Sequence, residues 1–136
     1  MSEINLGIIG GGQLGSMLSV AAKKLNIKTT VYCDDVNAPA QNFCNEFLFG
    51  EYNNKSKILE FAGKVDFITY EFENIPYETL HEMSKLKPVL PKPSVNRLIQ
   101  HRLAEKDFIN KLNIRTTRYA SIEKKTDIEP LEDFLP

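Results

Sequence analysis

Ile4-Asn5-Leu6-Gly7-Ile8-Ile9-Gly10-Gly11-Gly12-Gln13-Leu14-Gly15 is the stretch that decides the fold. Ile4 to Ile9 is a short apolar run closed by three glycines. Beyond them Leu14, Met17, Leu18, Ala21, Ala22 and Leu25 recur at helical spacing. The pattern predicts a buried strand, a glycine turn and a helix whose inward face carries those six side chains. Lys28 to Cys33 is rich in β-forming residues and ends at Asp34-Asp35, as a second parallel strand should. The first βαβ unit is complete there.

Strand and helix patterns keep alternating downstream, which signals an α/β fold with an open parallel sheet and flanking helices. A short helix is expected over Ala40 to Asn45 and a third strand at Phe47-Leu48-Phe49. A helix buried through Ile58, Leu59 and Ala62 should stop at Gly63, before a fourth strand from Val65 to Tyr70. Pro76 suits a first helical turn, with Leu80 and Met83 inside. Val89-Leu90 reads as a brief fifth strand. Ser94 is expected to cap a helix carrying Val95, Leu98 and Ile99. A last helix runs from about Arg102 to Leu112 with Ala104, Phe108 and Leu112 inward. Residues 1–120 are thus expected to form one Rossmann-like domain. Residues 121–136, with a net charge of −3 against +2 for residues 1–120, read as a linker or the start of a further domain.

The 136 residues are 42% hydrophobic, enough for one core, and the net charge of −1 supplies no global field for nucleic acid or anionic lipid. No apolar run approaches the roughly 20 residues of a membrane span, and no basic region precedes a signal-peptide core. The expectation is a cytoplasmic protein. Cys33 and Cys44 have neither partners nor histidines at metal-ligand spacing, so they are expected to be reduced thiols, with no zinc site. His81 and His101 lie on separate elements without a nucleophile pattern and are expected at the surface.

Gly10-Gly11-Gly12-Gln13-Leu14-Gly15 fits G-x-G-x-x-G between a strand and a helix, where backbone N–H groups and the helix N-terminus favour an anion. One reading is a dinucleotide pyrophosphate over the turn, with Asp34 on the adenosine ribose. That would make the chain an NAD(P)-binding domain of an oxidoreductase. Gly15 is better read as allowing tight packing against the sheet, and Gly12 and Gln13 as facing a ligand. Glu71-Phe72-Glu73 puts two carboxylates on one side of an extended tip at a strand's carboxyl end, where open α/β sheets bind ligands. Carboxylates there suit ribose hydroxyls, and Glu71 is expected to face the turn at Gly12 and Gln13 across the carboxyl edge of the sheet. Capping of the next helix is the competing role, and for Glu73 the two weigh equally.

Gly10 to Leu18, then Thr69-Tyr70-Glu71-Phe72-Glu73-Asn74-Ile75-Pro76, then Arg102-Leu103-Ala104-Glu105-Lys106 together resemble the 5-(carboxyamino)imidazole ribonucleotide synthases. These are ATP-grasp ligases of purine biosynthesis, and the resemblance spans about residues 4–120. It implies a pre-ATP-grasp domain of an enzyme that activates bicarbonate with ATP, through carboxyphosphate, and carboxylates 5-aminoimidazole ribonucleotide. It also implies a substrate-binding turn at Gln13 and Leu14, an acidic substrate contact at Glu71 and an ATP-contacting Arg102, to which the reading of the residues adds Gly12 and Glu73 as substrate-binding. ATP enters such enzymes with Mg2+, and a homodimer is implied for the full-length enzyme. The glycine-rich lid and the metal-binding carboxylates of the family match nothing after Ala120. The resemblance therefore implies an N-terminal domain without catalytic or metal-ligating residues, inactive by itself. Three positions depart from the family pattern: Ser16 replaces a usual base, His101 a usual acid, and Arg115-Thr116 a usual Pro-Thr. A non-catalytic binding module is a third reading.

Overall fold

The computed structural model describes residues 4–128 and Leu131. It divides into two compact units, Met1–Arg97 and Leu98–Pro136. The first holds a four-stranded, all-parallel sheet of β1 (Asn5–Ile9), β2 (Lys28–Cys33), β3 (Glu46–Phe49) and β4 (Phe67–Tyr70), in the order β3-β2-β1-β4. Ile9 pairs with Tyr32 on one side and Tyr70 on the other, so the carboxyl ends of β1, β2 and β4 align. The expected fifth strand is reduced to a single parallel bridge between Ile68 and Val89, closed by Leu90 N–H donating to the Ile68 carbonyl at 2.9 Å. Leu90-Pro91 is a cis peptide bond.

One face of the sheet carries the larger core. Ile9, Tyr32, Leu48 and Ile68 pack there with Ile58, Phe61 and Ala62 of α2 (Lys55–Lys64) and Leu80 and Met83 of α3 (Tyr77–Ser84). Leu59, expected inside, is 58% exposed, because Phe61 takes the inner position. Gly63 does not stop α2, which runs to Lys64. Asn54 caps its start by accepting from Lys57 N–H at 3.1 Å. Pro76 stands at the N-terminal boundary of α3 instead of inside its first turn, and no side chain caps that boundary.

The other face meets α1 (Gln13–Lys24) and a 3-10 turn at Pro39–Asn42, which stands where a short helix was expected over Ala40 to Asn45. Here the helical periodicity pointed the wrong way. Of the six expected inward residues only Ala22 is buried, whereas Leu14, Met17, Leu18 and Leu25 are exposed and Ala21 is on the solvent side. The buried stripe is Gly15, Ser16, Ser19 and Ala22. A Cβ on Gly15 would lie 2.5 Å from the Gly10 carbonyl oxygen, so the helix backbone sits directly on the turn and only small residues fit between. Ser19 donates to the Gly15 carbonyl at 2.9 Å and Ser16 to the Gly12 carbonyl at 3.0 Å. Both hydroxyls are thereby satisfied within the helix, and the serines pack as small apolar volumes.

Ser94 lies inside α4 (Pro93–Ile99), and the second unit begins at Leu98, within the last turn of that helix. Its α5 (Arg102–Lys111) buries no residue, and Phe108 and Leu112, expected inward, are 46% and 55% exposed. What holds it is polar: Tyr119 donates to Asp107 Oδ1 at 2.6 Å, Lys106 to Thr117 Oγ1 at 2.8 Å, and Asn110 to Thr116 Oγ1 at 3.1 Å. Of the stretch 121–136, residues 129–130 and 132–136 lie outside the described residues.

Candidate functional site

The sheet order places the turn after β1 beside the tip after β4. Gly10 turns the chain at φ +101°, a conformation that L side chains rarely adopt, and its N–H still reaches the Tyr32 carbonyl at 2.9 Å. Gly12 then forms the N-cap of α1 with extended backbone and no side chain of its own to cap the helix. The cap comes from 59 residues away. Glu71 Oε1 accepts from Gly12 N–H at 3.1 Å, while the Glu71 N–H donates to the Ile9 carbonyl at 3.1 Å. A carboxylate at this end of a helix is favoured by the helix dipole as well as by the hydrogen bond.

Residues 71–74 form a bend and a turn instead of an extended tip, so alternation does not put Glu71 and Glu73 on one side. Glu71 is half-buried against the glycine turn, and Glu73 is exposed. Gln13 and Leu14, in the first turn of α1, are also exposed. A groove of about 470 Å³ runs from this point, lined by Leu14, Met17, Leu18, Ala21, Tyr70 and Glu71. Gly12, Gln13, Leu14 and Glu71 are thus brought together at one end of the sheet.

Glu71 also bears on what the turn can hold. A pyrophosphate over a glycine turn needs the N–H groups at the helix start, and here Gly12 N–H is engaged by a carboxylate that would repel the anion. Asp34 is exposed at the end of β2. The arrangement favours hydrogen-bond donors, such as hydroxyls or an amine, next to Glu71. Among the described residues no group of three or more histidine, cysteine or acidic side chains is arranged to hold a metal ion. Cys33 and Cys44 are free thiols.

In the second unit Arg102 opens α5, with 78% of its side chain exposed, and pairs with Glu105 at 2.8 Å. His101, read from the sequence as a surface residue standing where an acid is usual, is the N-cap: its Nδ1 accepts from Ala104 N–H at 3.3 Å. That bond requires the neutral ring with its proton on Nε2. An acid at this position would accept the same bond, which is the physical equivalence behind the departure at His101. Both histidines are exposed, as expected.

The family model "Ribonucleotide synthetase preATP-grasp domain" matches residues 1–100. The bifunctional purine synthesis protein purC/E of Dictyostelium discoideum is 39% identical over 124 residues, which are 91% of this chain and 12% of that protein. The N5-carboxyaminoimidazole ribonucleotide synthase of Brucella melitensis is 35% identical over 118 residues, 87% of this chain and 33% of the relative. Among solved structures, the N5-carboxyaminoimidazole synthetase of Staphylococcus aureus complexed with ADP superposes with a TM-score of 0.86 at 29% identity, over 98% of this chain and 36% of that one. The chain therefore spans about a third or less of the length of these relatives.

Proposed function

The chain belongs to the ribonucleotide synthetase pre-ATP-grasp domain family, and from that premise we propose that it supplies the ribonucleotide-binding part of an ATP-dependent N5-carboxyaminoimidazole ribonucleotide synthase. In that reaction a bicarbonate oxygen attacks the γ-phosphorus of ATP and ADP leaves. The exocyclic amine of 5-aminoimidazole ribonucleotide then attacks the carboxyl carbon, losing a proton as phosphate departs. ATP enters with Mg2+, and phosphoryl transfer depends on metal ions and cations around the phosphates. The residues described here include no such set, so this chain contributes binding and orientation.

The observation that carries the reading is the Glu71–Gly12 hydrogen bond, which joins the two sequence motifs into one site. Glu71 accepts from the sugar hydroxyls or the exocyclic amine, while Gly12, Gln13 and Leu14 shape the turn beside it and Glu73 lies at the rim. Arg102 contacts ATP through its planar guanidinium. Homodimerisation and a cytoplasmic location belong to the same proposal. Among the described residues no helix is long and apolar enough to cross a membrane.

The test is titration of this chain by calorimetry and cofactor fluorescence. The expected result is saturable binding of 5-aminoimidazole ribonucleotide and none of NADH. Micromolar NADH binding without ribonucleotide binding would overturn the reading. Bicarbonate-dependent phosphate release from ATP is expected to be absent, and robust turnover would refute the division of labour.

A further inference from the structure

Asn96 of α4 is fully buried, 0% exposed, in the first unit. Its Nδ2 donates to the Ile75 carbonyl at 3.0 Å. Its Oδ1 is buried with no hydrogen-bond partner among the described residues. An amide with an unpaired buried oxygen opposes folding, and a leucine, of the same branched shape though larger, would not carry that polar penalty. The donor is what Asn96 supplies and leucine lacks. The amide orientation follows from the same contact, since only Nδ2 can face a carbonyl.

The carbonyl it holds lies at a special place. Ile75 follows the acidic tip directly and precedes Pro76, which has no N–H, and it lies outside α3. The Ile75 side chain is itself fully buried in the core. At the other end of the tip, Glu71 N–H is tied to the Ile9 carbonyl of β1. Four residues, 71–74, therefore span two fixed points, and the carboxylate that engages Gly12 projects from the first of them. We propose that Asn96 is a positioning residue: by holding the Ile75 carbonyl it fixes the acidic tip and keeps Glu71 seated on the glycine turn. Asn96 makes no contact with the ligand in this scheme. Its consequence for ribonucleotide affinity rests on the reading of Glu71 given above; its effect on the Glu71–Gly12 contact does not.

The experiment is amide hydrogen exchange by NMR on this chain, comparing Gly12 with Ile8 and Val31 in the sheet. In Asn96→Leu the protection of Gly12 is expected to fall on the order of tenfold, as for one lost hydrogen bond, while Ile8 and Val31 keep theirs. Unchanged protection of Gly12, or an equal fall at all three, would overturn the proposal. Asn96→Asp adds a pH readout: its protonated carboxyl can donate to Ile75 and its carboxylate cannot. Gly12 protection should therefore recover on acidification in that variant and not in the parent. No recovery counts against the proposal, and if neither variant folds, Asn96 is a core residue and the positioning role is rejected. Ribonucleotide titration separates the two readings. Loss of affinity in Glu71→Gln with none in Asn96→Leu rejects the positioning role, whereas unchanged affinity in Glu71→Gln rejects the site and leaves the exchange data to judge Asn96.

Discussion

Glu71→Gln separates the contact Glu71 makes in the fold from the ligand contact proposed for it. In the fold its Oε1 accepts from Gly12 N–H at 3.1 Å and its charge stands at the N-terminus of the 12-residue α1. Glutamine keeps an oxygen that can accept the same bond and loses only the charge, whose favourable interaction with the helix end is about 0.3–1 kcal/mol. For a unit near 100 residues that corresponds to a fall in Tm of a few degrees. A ligand hydroxyl or amine bonded to the carboxylate loses a charge-assisted hydrogen bond, about 1.5–3 kcal/mol, so ribonucleotide affinity should fall by about tenfold to 150-fold. Thermal denaturation and isothermal titration with 5-aminoimidazole ribonucleotide, on the same preparations, measure both. A Tm lowered by roughly ten degrees or more with normal ribonucleotide affinity would make Glu71 a remote helix cap and nothing else.

Gly15→Ala tests the close approach of α1 to the turn. Helix propensity favours alanine by about 1 kcal/mol, but the new Cβ would stand 2.5 Å from the Gly10 carbonyl oxygen, so chemical denaturation should show a net loss of about 1–3 kcal/mol. A gain would show that the helix can shift freely. The reversed faces of α1 predict that Met17→Ser changes the denaturation midpoint little, whereas Ser19→Leu, at a position with no exposed surface, lowers it sharply; the opposite order would restore the sequence reading of the helix. Burial, followed by the charges of Glu51, Asp34 and Glu60, pushes the Tyr32 hydroxyl up to about 12 from 10. Its neutral form is therefore favoured in the fold, the contribution is complete below pH 10, and it is lost as pH rises from 10 towards 12. Tyr32→Phe should flatten alkaline denaturation in that window, and an unchanged profile would assign the loss to other groups.

The first two strands and the glycine turn were legible because they rest on local chemistry, β-forming runs and three successive glycines, whereas the fourth strand starts at Phe67 and not at Val65, which ends α2 as its C-cap. The inward face of α1 was not legible from periodicity alone. Two stripes run along that helix, one of Leu14, Met17, Leu18 and Ala21 and one of Gly15, Ser19 and Ala22. Hydrophobicity picks the first, and the distance between helix and sheet picks the second. A glycine four residues from a serine and seven from an alanine was the available signal, since small residues at that spacing permit a close approach. The fifth strand failed for a different reason. Val89 and Leu90 have strand-like side chains, but Pro88 and Pro91 flank them and can donate no ladder hydrogen bonds.

The candidate site was legible as two motifs, and the expectation that Glu71 faces the glycine turn across the carboxyl edge of the sheet agrees with its hydrogen bond to Gly12 N–H. Nothing local in residues 10–15 or 69–76 states that they meet; that depends on β4 lying next to β1, which the order β3-β2-β1-β4 supplies. Once the strands are neighbours with Ile9 opposite Tyr70, their outgoing turns start side by side, and a side chain as long as glutamate spans the gap. Aspartate at position 71 would be one methylene short of the reach that glutamate uses to meet Gly12 N–H. The chemical identity of the carboxylate and the topology of the sheet are therefore a single constraint. One residue thereby closes the helix start against anions and, in the function proposed above, presents its charged acceptor to a sugar.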